Sequence, residues 1–144
     1  MLVFISGKLT NGYTATKKQM EANLRMAEYI AKTLWEEGFL VFCPHLNTNF
    51  EDNLKIDYEQ YMKFDLKILG ICDVIYAIPG WTDSKGSLRE IDEAKKLNIP
   101  IAFSLEDLRK IKKRFYHKEA LKVLDGYDKI YAEGRQELVK NHIK

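Results

Sequence analysis

Hydrophobic positions along the chain alternate between short continuous runs and stripes with helical spacing. Four apolar runs lie at residues 2–6, 39–43, 73–78 and 101–104. Three stretches with a period of three to four residues separate them, at 14–37, 57–71 and 87–97. Continuous apolar strands between amphipathic helices are typical of a parallel sheet that is buried on both faces. The pattern therefore predicts an α/β fold: a doubly wound, flavodoxin/Rossmann-like parallel sheet of four to five strands, with helices on both faces.

The pattern is weaker after residue 104. Residues 105–125 favour one or two charged helices, DKIYA (128–132) is a candidate fifth strand, and RQELVKNHI (135–143) favours a terminal helix. No repeat, low-complexity segment or linker interrupts the chain. A single domain spanning residues 1–144 is the simplest interpretation, since this length suits one domain.

Composition narrows the function classes. The chain is 46% apolar and 31% charged, as in ordinary soluble domains. No apolar run approaches the ~20 residues of a membrane span, and the start lacks a signal-peptide pattern, so we expect a cytoplasmic protein without a membrane partner. A net charge of +2 is too small to indicate nucleic acid, and RKIKKR (109–114) is interpreted as a solvated helix face.

Cysteines and histidines give no sign of a metal site. Cys43 and Cys72 lie in apolar runs and are expected to be buried free thiols. His45, His117 and His142 are scattered, and the spacing of these residues does not match metal ligands. No metal and no cofactor are predicted.

The predicted fold locates a ligand site at the carboxyl ends of the strands. The loops there are SGKLTNGYT (6–14), PHLNTNF (44–50) and PGWTDSKGS (79–87). The first could bind an anion through backbone amides at a helix N-terminus, or Gly7 could be needed there for its φ angle. Trp81 in the third loop could stack on a base or pack at the rim. His45 could face the crevice, although a loop-capping histidine is commoner.

Glu90 has two interpretations. With Ser87 it fits a capping box, in which serine and glutamate satisfy the first amides of a helix. Helical spacing instead aligns it with Ala94 and Leu97, on the side that faces the sheet. A carboxylate in the first helical turn would be favoured in its ionised form by the helix dipole. Such a group at a strand-end crevice is suited to nucleophilic attack.

A second carboxylate, Asp65, falls inside an apolar helical stripe that includes Tyr61, Phe64 and Ile68. A charge there costs several kcal/mol unless something pairs with it. It could be satisfied by a backbone amide or lie at the rim of the stripe, or it could be the acid/base partner of Glu90. A carboxylate pair about 5 Å apart is used in retaining cleavage of glycosidic bonds.

These segments together resemble a known family. FISGKLTNG, GFLVFCPH, FDLKILGICDVIYAIPGW and SKGSLREIDEAKKLNIPI, in this order, resemble the nucleoside 2-deoxyribosyltransferase superfamily over residues 2–104. The likeness is greatest to its phage-associated, largely uncharacterised branch and to the deoxynucleoside 5′-monophosphate N-glycosidases. It implies cleavage of an N-glycosidic bond through a covalent glycosyl-glutamate, followed by hydrolysis or transfer to another base. It also implies a small-molecule nucleoside or nucleotide substrate and a homodimer or larger assembly.

The resemblance assigns roles to individual residues. It makes Glu90 the nucleophile and Asp65 the group that protonates or orients the leaving base. Ser84 would face a 5′-phosphate. The substrate-binding set that it implies is Ser6, Gly7, Lys8, Gly80, Trp81, Ser84, Gly86 and Ser87.

The sequence also departs from the family pattern. Phe4 stands where better-known members have a tyrosine whose hydroxyl contacts the glutamate, and Tyr13 and Tyr61 are candidate replacements. A residue from a neighbouring subunit commonly completes the pocket, and Tyr116 or His117 is a guess for it. Two alternatives remain: a noncatalytic nucleotide-binding or regulatory module, and a cytokinin-activating-type phosphoribohydrolase, whose PGG-GT-E motif is faintly similar to PGW...SKGSLRE.

Overall fold

A computed structural model describes residues 1–10, 15–47 and 57–142 of the chain. The strands are β1 (Leu2–Ser6), β2 (Leu40–Phe42), β3 (Val74–Ala77) and β4 (Ile101–Ala102). The helices are α1 (Lys17–Glu36), α2 (Pro44–Asn47), α3 (Tyr58–Leu69), α4 (Lys85–Lys96) and α5 (Leu105–His142). Contacts divide the chain into two compact units, Met1–Leu108 and Arg109–Lys144.

The four strands form one parallel sheet in the order β2-β1-β3-β4. Phe4 of β1 is paired with Phe42 on one side and with Ile75 on the other. This order confirms the predicted α/β fold with a parallel sheet. The chain passes from β1 to β2 on one side and then returns to β3 on the other side of β1, so the switch in strand order lies between β1 and β3.

Strand alternation separates the two faces of the sheet. Phe4, Ile75 and Ala77 pack on one face in a core cluster with residues of α3 and α4, including Leu69 and Ile91. The alternate positions of β1 and β3, such as Val3 and Val74, point to the opposite face and are fully buried too. Both faces of the sheet are therefore covered.

The helix ends follow local sequence signals. Thr16 and Gln19 form a capping box at the start of α1, and Asp57 and Gln60 form one at the start of α3. Gly38 follows α1 with a φ of 77°, in the left-handed region that favours glycine. The predicted boundaries of α1 and α3 hold to within a few residues.

The C-terminal prediction was wrong. Residues 128–132, the candidate fifth strand, lie inside α5, and so do most of the residues predicted as a separate terminal helix. Val123, Tyr127 and Ile130 continue a helical spacing through this segment, and no proline interrupts it. The helix continues through Asp125-Gly126, a dipeptide that is common in turns. The segment after Pro44 also differs from the expected loop, since Pro44–Asn47 is a short helix.

Candidate functional site

A cavity of about 570 Å³ lies at the carboxyl ends of the strands, within the first unit. It is lined by Gly7, Leu9, Thr10, Pro44, His45, Tyr58, Tyr61, Asp65, Ser84, Lys85, Gly86, Ser87 and Glu90. These residues follow β1 and β2 or belong to α3 and to α4 with its cap. The cavity therefore occupies the position that the strand order predicts for a ligand.

Glu90 lies at the inner wall of this cavity. It is 6% exposed, and the hydroxyl of Ser6 donates a hydrogen bond of 2.5 Å to its Oε2. Ser6 ends β1 on the same face as Phe4, which is buried in the core below it. The hydroxyl that contacts Glu90 thus comes from Ser6, while Tyr61 lines the cavity and Tyr13 lies outside the described residues.

The capping interpretation of Glu90 was wrong. Helix α4 begins at Lys85, and Ser84 caps it by accepting a hydrogen bond of 3.2 Å from the backbone amide of Ser87. The actual cap lies three residues before Ser87, so Glu90 falls in the second turn, away from the first amides. Its carboxyl group is directed to Ser6 instead.

The protonation of Glu90 also differs from the expectation. Burial raises its pKa to about 7; the Ser6 hydroxyl opposes this rise, and the charge of Asp65 adds to it. The helix dipole acts mainly within the first turn, and Glu90 lies beyond it. The carboxyl group is consequently poised to gain or lose a proton near neutral pH, rather than held ionised.

Asp65 lines the same cavity from α3. It is 8% exposed, and burial raises its pKa to about 6. Among the described residues, no hydrogen-bond donor or cation contacts its carboxylate. A buried aspartate with a purely structural role would normally be hydrogen-bonded, so this one does not fit that role. The site therefore holds two buried carboxyl groups close enough to raise the pKa of Glu90.

The start of α4 forms another wall of the cavity. Ser87 is 1% exposed, and its Oγ has no hydrogen-bond partner among the described residues. The first amides of a helix also lack partners within the helix. A side chain at Gly86 would approach Met62 to 3.3 Å and the Tyr58 hydroxyl to 3.4 Å. This wall thus offers a buried hydroxyl and backbone amides in a space that glycine keeps open.

His45 faces the cavity, which was one of its two interpretations, although it is not in the predicted substrate-binding set. It follows β2, is 7% exposed and lines the cavity, and its Nε2 has no hydrogen-bond partner among the described residues. Burial lowers its pKa, so the ring is neutral, although the nearby backbone of Lys8 and Gly7 partly opposes this shift. Its Nδ1 lies 3.9 Å from the Cys43 sulfur. A position directly after the second parallel strand was the available signal.

Tyr58 is also a cavity residue that was missed. Arg89 forms a bidentate ion pair with Glu59, with N–O distances of 2.7 and 3.0 Å, and its guanidinium lies 5.9 Å from the centre of the Tyr58 ring. These contacts join the start of α3 to α4 and orient Tyr58. Tyr58 could have been found from the sequence, because it comes directly after the capping residue Asp57 and so lies at the start of α3.

Four predicted substrate-binding residues, Ser6, Lys8, Gly80 and Trp81, are not among those that line the cavity. Ser6 instead contacts Glu90, as described above. Lys8 pairs with Asp83 at 3.4 Å, and Gly80 takes a φ of 87° in the turn before α4. Trp81 packs against Phe103, with ring centres 5.9 Å apart, as its rim interpretation expected.

Gly7 does line the cavity, but not for the φ angle that was considered, because its φ is not in the left-handed region. A Cβ at this position would lie 2.9 Å from the Ile78 side chain. Glycine is required there by space. Tyr116 and His117 lie on α5, in the second unit.

Neither a metal site nor a membrane span is found in the described residues. Across 1–10, 15–47 and 57–142, no three histidine, cysteine or acidic side chains are grouped so that they could hold a metal ion. Within the same ranges, the helices are too short or too polar to cross a bilayer.

Comparisons with known proteins give a family and a distant structural likeness. A family model described as "Domain of unknown function (DUF4406)" matches residues 1–103. A search of curated protein sequences finds no significant match. Among solved structures, a 2-deoxyribosyltransferase from Bacillus psychrosaccharolyticus aligns with 20% identity over 70% of this chain and 69% of its own, with a TM-score of 0.48. Similarity at this level of identity and TM-score does not indicate a shared function.

Proposed function

This chain belongs to the family described as a domain of unknown function (DUF4406), and that description names no activity. We propose its function from the geometry of its cavity. The protein cleaves the N-glycosidic bond of a nucleoside or deoxynucleoside 5′-monophosphate through a covalent intermediate on Glu90. The observation that carries this proposal is the pair of buried carboxyl groups in one cavity, with pKa values raised to about 7 and about 6. Groups that share protons near neutral pH are suited to acid–base and nucleophilic chemistry.

Glu90 is the nucleophile in this proposal. Ser6 holds Oε2, which leaves the other carboxylate oxygen available for attack on C1′ of the sugar. As the bond from C1′ to oxygen forms, the bond to the base nitrogen breaks and its electron pair goes to the base. The Ser6 hydroxyl favours the ionised form of Glu90, which is the form that attacks.

Asp65 supplies the proton in this proposal. Burial raises its pKa to about 6, below the value of about 7 for Glu90, so the two carboxyl groups exchange one shared proton near neutral pH. In the form of the pair that reacts, Glu90 is ionised and the proton lies on Asp65, which donates it to the departing base. Water, or a second base, then attacks C1′ and restores the Glu90 carboxylate, while the proton of the attacking group returns to Asp65. Hydrolysis and base transfer differ only in this acceptor.

The strand order supports an orientation for the proposed substrate. Glu90 is held over β1 by Ser6, His45 follows β2, and α4 follows β3. Since β1 lies between β2 and β3, a sugar at Glu90 has His45 on one side and the start of α4 on the other. The base is assigned to the side of His45 and the 5′-phosphate to the side of α4.

Two observations support the phosphate assignment. The buried Ser87 hydroxyl has no partner among the described residues, and it faces the cavity beside the first amides of α4. A helix N-terminus and unpaired donors are favourable surroundings for an anion. Ser84 also lines the cavity and retains its hydroxyl proton for donation while it caps the helix. Lys8 adds less than the sequence suggested, because Asp83 pairs with it.

The decisive experiment incubates the purified protein with paired nucleosides and 5′-monophosphates and measures released base by chromatography. We expect release from a monophosphate, a lower kcat/KM for the matching nucleoside, and loss of release in Glu90→Gln. A substrate with fluorine at C2′ should slow the second step, so that intact-mass spectrometry detects a glycosyl adduct that Glu90→Gln does not form.

Binding of a nucleotide without release of base would instead favour the noncatalytic module. The phosphoribohydrolase alternative depends on the PGW loop, whose Gly80 and Trp81 are not among the residues that line the cavity. The phosphate assignment would be contradicted if wild type had a higher kcat/KM for the bare nucleoside than for its monophosphate. It would also be contradicted if Ser84→Asp did not reduce the ratio of kcat/KM for the monophosphate to that for the nucleoside.

A further inference from the structure

Helix α5 exposes a continuous apolar surface in the second unit. We name this surface the α5 stripe; its residues are Tyr116, Ala120, Val123, Leu124, Tyr127, Ile130 and Tyr131. Successive members are three or four positions apart or adjacent, so they share one side of the helix over about four turns. All of them are exposed, including Tyr127 at 61% and Ile130 at 69%.

Most charged residues of this segment lie away from the stripe, and Glu119 and Asp128 lie at its edges. Lys118, Lys122, Asp125, Lys129 and Glu133 occupy the opposite side of the helix by its 3.6-residue period. Lys122 pairs with Glu119 at 2.8 Å. A helix with one apolar and one charged side has the pattern of a surface that packs against another helix.

The size of the stripe matches a stable interface. Burial of a whole tyrosine removes roughly 150–250 Å² of surface from water. The stripe contains three tyrosines, and each of them has half or more of its surface exposed. Together with its aliphatic members it presents on the order of 700 Å², close to the ~800 Å² per partner of a standard interface. Monomeric proteins rarely expose an apolar patch of this size.

Charge along α5 indicates the partner and its direction. Residues 109–118 include several lysines and arginines and no acidic residue, whereas residues 119–137 contain more acidic than basic residues. Two parallel copies would place the basic segments beside each other. Two antiparallel copies centred on the stripe place each basic segment beside residues 129–138 of the other, which contain two acidic and two basic residues, so this like-charge repulsion is avoided.

We propose that two copies of this chain associate through their α5 stripes, with the two helices antiparallel. Tyr127 and Tyr131, whose ring centres are 5.4 Å apart, lie toward one end of the stripe, and Tyr116 lies at the other end. The antiparallel arrangement brings Tyr116 of one copy near Tyr131 of the other, and Leu124 near the centre of the contact.

The first test is the oligomeric state by sedimentation velocity over a wide range of protein concentration. Wild type should form a dimer, and Tyr127→Glu should weaken it at least ~100-fold, because each interface would bury two unpaired carboxylates. The matched control is Ala132→Glu, which introduces the same charge at an exposed position on the other side of α5. Far-UV circular dichroism and thermal unfolding verify that both variants stay folded.

A monomeric wild type would overturn the proposal, and so would equal dimerisation of the two variants. Because the stripe is remote in sequence from the cavity residues, base release can be measured on the same samples, and its outcome does not decide the test. An inactive dimer would contradict only the proposed activity.

The second test fixes the direction. Tyr116→Cys and Tyr131→Cys chains should form disulfide-linked dimers when mixed under mild oxidation, and little when each is alone. Strong linkage of either variant with itself would indicate parallel helices and overturn the antiparallel assignment. The native Cys43 and Cys72 are buried, with pKa values raised to about 11, so they remain thiols and react slowly in this assay.

Discussion

Replacement of Glu90 by glutamine should abolish turnover and, at alkaline pH, stabilise the folded protein. Burial raises the pKa of this carboxyl group from 4.5 to about 7 in the folded state. The folded protein therefore holds the proton more tightly than the unfolded chain does. The resulting stability is fully present below about pH 4.5 and is lost as the pH rises through about 7, where the folded protein must bury a carboxylate.

The magnitude follows from the size of this shift. A rise from 4.5 to about 7 corresponds to roughly 3 kcal/mol lost at high pH, at 1.36 kcal/mol per unit. Glutamine stays neutral and avoids this loss, although its buried amide hydrogens cost about 1–3 kcal/mol if they lack partners. The amide cost does not depend on pH. The free energy of unfolding of Glu90→Gln relative to wild type should thus rise by roughly 2 kcal/mol between about pH 5 and about pH 8.

Urea denaturation at several pH values, with a common m-value, measures this difference. Ser6→Ala is the control that moves the opposite way: it removes the donor that favours the Glu90 carboxylate, so stability should fall more steeply over the same range. A stability difference between Glu90→Gln and wild type that does not change with pH would refute the reasoning. A uniform loss of about 1 kcal/mol would indicate a merely structural glutamate.

Three further predictions concern the reaction. First, kcat/KM should follow a bell-shaped pH profile with limbs near 6 and 7, because activity needs one proton on the Glu90 and Asp65 pair; a single rising limb would contradict this. Second, Asp65→Asn should reduce cleavage of natural nucleotides by about 10²- to 10⁴-fold but that of an activated nitrophenyl glycoside much less, whereas equal losses would indicate positioning alone. Third, His45→Leu should lower kcat/KM at least about tenfold and His45→Gln should recover much of it, since glutamine keeps a polar group near Nε2; identical losses would assign His45 a packing role.

Much of the fold could be predicted because its signals are local. Continuous apolar runs located the four strands of the described residues, and the first helix ends just before Gly38, whose φ is in the left-handed region. The C-terminal region failed because DKIYA has strand-forming residues, yet its apolar side chains also continue a helical spacing, and a five-residue window cannot separate the two. The long helix became evident only when the segment was considered with Val123 and Tyr127.

The candidate site was less predictable than the fold. Helical spacing correctly put Glu90 on the sheet side of α4, but the capping-box pattern suggested Ser87 as the cap, whereas the helix is capped by Ser84. That one shift moved Glu90 out of the first turn and away from the strongest influence of the helix dipole. Its raised pKa depends on burial by distant segments, which no local pattern contains.

The contact between Ser6 and Glu90 is one feature of the site that strand periodicity explains. Phe4 and Ser6 are two residues apart on β1, so their side chains share the face on which α4 packs. Phe4 lies deeper in the strand and fills the core, whereas Ser6 is the last residue of β1 and contacts Glu90, which lines the cavity. Phe4 has no hydroxyl to donate to Glu90. Ser6, two positions later on the same face of the strand, donates one without any change in the strand backbone. Strand alternation together with the sheet-facing position of Glu90 contains the information for this pair, although Tyr13 and Tyr61 were the hydroxyls predicted from the sequence.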